Sequence, residues 1–264
     1  MTRPTYITAL LLSLAFSKAL FAAAPDPAVN MNSLLSRAGA QITKLLDQFS
    51  NVKCTEEVER EKFRSDGKVE LKQAATYDYL VILADRGGDL SLQESRIAVH
   101  EPKGDKRNTP MLLSNGFATL FLVFHPYYSQ SFRFTFAGEE ANGNRTLARI
   151  NFEAIPGMRS PGALALRGRE YPLELSGEAW IDPATGIVTR IEAEIGDTLR
   201  DVGLKSLRSS VEFAPAPFRD LQAFWFPVTA TVDVQTPRQH WRNIHHFTDY
   251  KLFSVGSEEH VNTQ

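Results

Sequence analysis

Leu34, Leu35, Ala38, Ile42, Leu45, Leu46 and Phe49 recur at three- and four-residue spacing, the period of a helix with one apolar face. The spacing predicts an amphipathic helix of about 18 residues with Asn32 or Ser33 as its N-cap. Downstream the period changes from helical to alternating. Val52–Phe63 reads as an extended, unusually charged strand, and Ser65-Asp66-Gly67 as a turn into a second strand. Residues 77–84 form a further strongly β-prone run. Phe132, Phe134 and Phe136 alternate with Arg133 and Thr135; Ala148, Ile150 and Phe152 with Arg149 and Asn151; Val228, Ala230, Val232 and Val234 with Thr229, Thr231 and Asp233. Such alternation marks antiparallel strands with one buried and one wet face.

The clearest hairpin spans 173–195. Leu175, Ala179 and Ile181 on one arm and Ile191, Ala193 and Ile195 on the other share a face, with Glu178, Glu192 and Glu194 on the opposite one. Asp182-Pro183-Ala184-Thr185-Gly186 supplies the turn, since Asp bonds its own backbone, Pro presets φ and Gly accepts a positive φ. Trp180 and Arg190 fall on the polar face and are placed to stack.

Residues 112–128 break the strand pattern. Phe117, Leu120, Phe121 and Phe124 keep helical spacing while Ala118, Leu122 and Val123 fill the other sides, so this helix is apolar all round and belongs in an interior. It is expected to plug the concave face of the sheet. The stretch 156–172, rich in Gly and Pro, reads as a mobile loop.

At the N-terminus, Arg3, an apolar run and then Ala22, Ala23 and Ala24 follow the order of a signal peptide, too short to span a bilayer. The expected division is a signal peptide at 1–24, a leader at 25–30, one domain at 31–258 and a tail at 259–264. The formal net charge is -2, and removing Arg3 and Lys18 with the signal peptide leaves -4. Neither value offers a basic field for nucleic acid. The single cysteine, Cys54, excludes an internal disulfide and is expected to be a small buried hydrophobe.

Chemistry-bearing motifs are sparse. There is no nucleophile elbow, phosphate loop, zinc-protease helix or dinucleotide fingerprint. On a strand His240 and His246 would share a face roughly 20 Å apart while His245 points away, so one ion could not bridge them. The acidic pairs Glu56-Glu57, Glu139-Glu140 and Glu258-Glu259 read as solvated edges and turns. No catalytic residue, metal site or cofactor is expected. What remains is aromatic weight: six of the 17 Phe lie between Phe117 and Phe136. Phe117, Leu120, Phe121 and Phe124, with Phe132, Phe134, Phe136 and Trp225, are the candidate ligand-lining residues of an apolar pocket. The alternative is a Phe-rich core without a cavity.

The stretch Ala179-Trp180-Ile181-Asp182-Pro183-Ala184-Thr185-Gly186, followed by Arg190-Ile191-Glu192, resembles the aromatic-x-Asp-Pro-x-Thr-Gly hairpin of LolA/LolB-like periplasmic lipoprotein carriers. RseB-type sensor domains share that half-barrel, and a group of uncharacterised exported bacterial proteins carries the same hairpin. The resemblance implies an α+β, mainly antiparallel fold: a curved, half-open β-barrel with an N-terminal helix and a short plug helix. It also implies a concave face that accepts acyl chains or a protein segment. The expected function is that of an exported, periplasmic or secreted, non-enzymatic module, soluble and monomeric, that binds a lipid or acylated ligand. An envelope protein-interaction or sensing module and an unrecognised hydrolase are the alternatives.

Overall fold

The computed structural model describes residues 30–49, 52–86, 89–100, 120–166, 169–195, 203–218 and 221–252. The expected signal peptide, Phe117, the Glu258-Glu259 pair and the tail lie outside them. Helix α1 is Met31–Phe49, and its cap is Asn30 rather than Asn32 or Ser33: the Asn30 side chain accepts from the Ser33 backbone N–H at 3.1 Å. Leu34, Ala38, Ile42, Leu45 and Leu46 all face the interior, as their period requires.

Twelve strands follow among the described residues. β1 is Val52–Phe63, β2 Val69–Arg86, β3 Asp89–His100, β4 Phe132–Asn142, β5 Arg145–Ala154, β6 Ala163–Leu166 and β7 Arg169–Pro172. β8 is Leu175–Ile181, β9 Val188–Ile195, β10 Ser206–Phe218, β11 Leu221–Gln235 and β12 His240–Leu252. Ten of them form one sheet in the order β3-β2-β1-β12-β11-β10-β9-β8-β5-β4, with every neighbouring pair antiparallel. The sheet is not closed, so β3 and β4 are its edges, and β12, the last strand, lies between β1 and β11. The fold is thus α+β, a curved half-open barrel with few helices.

Three details depart from the sequence reading. The run 77–84 is not a separate strand but part of the 18-residue β2. The stretch 156–172 carries the β6–β7 hairpin, a second small sheet, in place of an irregular loop. The apolar segment does not run as one helix to Tyr128: a 3-10 turn at Leu122–Phe124 is followed by a four-residue helix α2, Pro126–Ser129. The break falls at His125, held extended at φ -63° and ψ 136°, because Pro126 disfavours helical geometry in the residue before it. His125 then caps α2, its Nδ1 accepting from Tyr127 N–H at 3.2 Å.

The core lies on the concave face. Ile150, Phe152, Ala179, Ile191 and Val211 project inward and are closed over by α1 and by Leu120, Phe121, Leu122, Val123 and Phe124, each of them buried. The β8–β9 turn is built as its residues dictate: the Asp182 carboxylate accepts from Ala184 and Thr185 N–H at 2.9 and 3.2 Å. This turn also anchors α1, because Arg37 donates to the Pro183 carbonyl at 2.8 Å and Gln41 to the Thr185 carbonyl at 3.3 Å. Gly186, at φ +78°, lies so close to α1 that a Cβ there would sit 2.6 Å from Arg37.

Candidate ligand-binding site

Between the C-terminal half of α1 and the sheet lies a cavity of about 180 Å³. Its walls are Ile42 and Leu45 of α1, Ile187 and Val188 after the turn, and Phe213, Phe224 and Trp225 of β10 and β11. Gln41, Lys44 and Thr185 complete the lining, with the Lys44 ammonium 5.3 Å from the Phe224 ring centre. Larger but more open grooves run along the outer face. One of about 580 Å³ lies beside Trp180, and another of about 450 Å³ is lined by Glu178, Glu192, Glu194 and Arg208.

Of the candidate lining residues, Trp225 lines the cavity under α1. Leu120, Phe121, Phe124 and Phe132 are buried among other core side chains; Phe121 meets Phe213 edge-on at 6.5 Å, and Phe124 lies 5.5 Å from Phe134. Phe134 is half-buried, while Phe136 is 46% exposed in the middle of edge strand β4. The outer-face stack is also present. Trp180 sits between Arg190 at 4.6 Å and Arg149 at 6.0 Å, and its indole N–H donates to Glu140 at 2.9 Å.

Sequence reasoning missed a second cluster. Glu56 is not solvated: it is completely buried. Strand β1 alternates Val52, Cys54, Glu56, Val58 and Arg60 toward the interior, all buried, with Lys53 and Glu57 outside. The charges therefore follow the pleat into the core, and that alternation was the available signal. The Glu56 carboxylate accepts from Arg96 at 2.5 and 2.9 Å and faces His245 Nδ1 at 2.8 Å. Arg96 also pairs with the buried Glu94 carboxylate at 2.5 Å. Burial alone would raise the Glu56 pKa, but hydrogen bonds from His245 and Arg96 outweigh it and hold the carboxyl below its usual range. For Glu94 burial wins, and its pKa is pushed up to about 7.

Cys54 lies two residues from Glu56 on the same face. Burial first, and the Glu56 charge second, push its thiol up to about 12, so it is an inert core group rather than a nucleophile. The histidines do not converge. His245 faces the interior, while His240, on the opposite face, bonds Asp233 at 3.0 Å. Among the described residues no group of His, Cys, Asp and Glu is arranged to hold a metal ion, and no helix is long and apolar enough to cross a membrane.

No family model matches the chain, and no curated protein matches it. Among solved structures it is similar to a LolA superfamily protein from Nitrosomonas europaea, at 10% identity and a TM-score of 0.40, over 85% of this chain and 94% of that one. It is also similar to a DUF1329 family protein from Desulfovibrio piger, at 11% identity and a TM-score of 0.42, over 88% and 98% of the two chains. A third similar structure is an outer membrane lipoprotein-sorting protein domain from Vibrio parahaemolyticus, at 12% identity and a TM-score of 0.40, over 85% and 95%. The half-open antiparallel sheet with an N-terminal helix that the hairpin implied is what the chain adopts.

Proposed function

We propose that the protein is an exported, non-enzymatic binding module that takes the apolar chain of a lipid or acylated ligand at the inner face of its sheet. The observation that carries this reading is the cavity of about 180 Å³ under α1, with aliphatic and aromatic walls and Gln41, Lys44 and Thr185 as its polar members. Apolar walls with a few polar groups are the usual form of a small-ligand site. The volume is below the ~300–1,000 Å³ of occupied sites, so a complete chain enters only as α1 lifts from the β8–β9 turn. Two side-chain hydrogen bonds, from Arg37 and Gln41, hold α1 there. The basic, apolar and small order of residues 1–24 supports export. The inert Cys54 thiol and the engagement of His245 with Glu56 support a role without covalent chemistry.

The test is displacement of the neutral probe N-phenylnaphthylamine by long-chain lipids, together with native mass spectrometry of the purified protein. Binding is expected in the wild type and lost in Val188→Trp, which fills the cavity. A wild type that binds no lipid by either method defeats the reading. One observation favours a protein partner as a second reading: Ile97 and Val99, 67% and 65% exposed, lie on edge strand β3, where an extended segment can add to the sheet. Charge substitution at both positions, Ile97→Lys with Val99→Lys, separates the two, since it should leave lipid displacement unchanged.

A further inference from the structure

Arg60 poses a problem that the fold does not solve. It is 6% exposed on the inner face of β1, and a guanidinium cannot shed its charge there. Burying an unpaired cation is costly, yet among the described residues no carboxylate pairs with it. Its guanidinium donates to the Tyr77 hydroxyl and lies 5.8 Å from that ring. The acids of β1 are committed elsewhere: Glu56 to Arg96 and His245, and Glu59 and Glu61 to Lys72. The Arg60 Nε–H is buried without a partner.

Of the other unpartnered polar atoms on this face, two flank Arg60. Asn243, directly across from Arg60 on β12, is 2% exposed, and its Oδ1 has no donor. His245 stands two residues along β12, 3% exposed, and its Nε2 is likewise unpartnered. The Arg60 Nε–H, Asn243 Oδ1 and His245 Nε2 thus lie unpartnered on two adjacent strands, whose spacing is ~5 Å. Native interiors leave few such groups unsatisfied.

We propose that Arg60, Asn243 and His245 form a binding site for an oxyanion with an adjacent hydroxyl. The oxyanion takes the Arg60 Nε–H, and the hydroxyl donates to Asn243 Oδ1 or forms a hydrogen bond with His245 Nε2. An amine donor is disfavoured because it would bring a second cation beside Arg60. The site shares the inner face with the cavity under α1: Arg60, Asn243, Val232 and Ser209 form one row across β1, β12, β11 and β10, and Phe213 of the cavity wall lies four residues along β10, ~20 Å from Arg60. As the head-group site of an amphiphile, the assignment rests on the reading proposed above; as an oxyanion site it stands without it.

Probe displacement by 3-hydroxydodecanoate, dodecanoate and dodecanol tests it, alongside the Tm shift produced by inorganic phosphate. In the wild type the hydroxy acid should bind tightest and the alcohol at least ten-fold more weakly than dodecanoate. Arg60→Met should abolish the advantage of the acids without changing dodecanol affinity. Its Tm should stay level or rise, because an unpaired buried charge is removed. Asn243→Leu should remove only the advantage of the hydroxyl. Equal binding of all three ligands by the wild type overturns the oxyanion site and leaves the lipid reading standing. No amphiphile binding, but an Arg60-dependent Tm rise with phosphate, supports the site with a soluble ligand and ends the lipid reading. No response to any probe overturns both. A fall in Tm for Arg60→Met with the ligand preferences intact assigns Arg60 a structural role and overturns the site.

Discussion

The two halves of the inner sheet face obey one pleat and opposite chemistries. Across β5, β8, β9 and β10 the inward residues are Ile150, Phe152, Ala179, Ile191 and Val211, closed over by α1 and the 120–124 segment. Across β12, β1 and β3 the inward positions include Asn243, His245, Glu56, Arg60, Arg96 and Glu94. The first half is stabilised by apolar burial, which is non-directional and scales with area. The second is held by directed pairing, in which each partner is needed because the others have lost their water. One half therefore tolerates changes that keep volume, whereas the other tolerates only changes that keep charge balance.

The largest effect should follow from breaking the ionic half. Glu56→Ala leaves His245 without its carboxylate and Arg96 with Glu94 alone, and should cost about 3–5 kcal/mol, measured by urea unfolding; a loss under about 1 kcal/mol would show that the network relaxes into water. In the apolar half Phe121→Ala should cost about 3–5 kcal/mol, but its penalty should be the same at pH 5 and pH 8. pH itself sharpens the contrast. Glu94 has its pKa raised to about 7, so its contribution is complete below the ordinary carboxylate pKa and is lost as pH climbs through 7. Wild-type Tm should fall over that interval, and Glu94→Gln should flatten the decline. An unchanged slope in that variant removes Glu94 as its source.

Smaller effects are expected at the supports of α1. Gly186→Ala places a Cβ against Arg37 at a positive φ and should cost at least about 1–2 kcal/mol, with probe release from the cavity as a second readout. Asn30→Ala, which deletes the helix cap, should cost about 1 kcal/mol. Thermal denaturation distinguishes the two, since the cap should leave probe binding unaltered.

Much of the fold was legible because its signals are local. The period of Leu34, Ala38, Ile42 and Leu45 placed α1, the alternation at Phe132, Ile150 and Val232 placed strands, and Asp182 to Gly186 placed a turn. The errors occurred where local pattern had more than one solution. Residues 112–128 were apolar enough for a helix, but Pro126 broke the run; 156–172 had the Gly and Pro of a loop, yet its flanks pair as β6 and β7. The candidate site was less legible. Of the named aromatic residues Trp225 lines the cavity, while Phe121 and Phe124 are core. Glu56 looked like a surface charge because most strand charges are.

By itself the sequence determined which residues alternate, where the helix lies, where the chain turns, and that its charge gives no basic field. Those properties depend on neighbours a few positions away. Only the tertiary structure decided that the β8–β9 turn would carry α1, that β12 would lie against β1, and that Glu56 would meet His245, 189 residues distant. Sheet order and curvature arise from pairings between remote strands, and the burial of a charge depends on what those strands bring to its side. For that reason a carboxylate and a guanidinium with the sequence pattern of a wet surface became the polar interior of the protein.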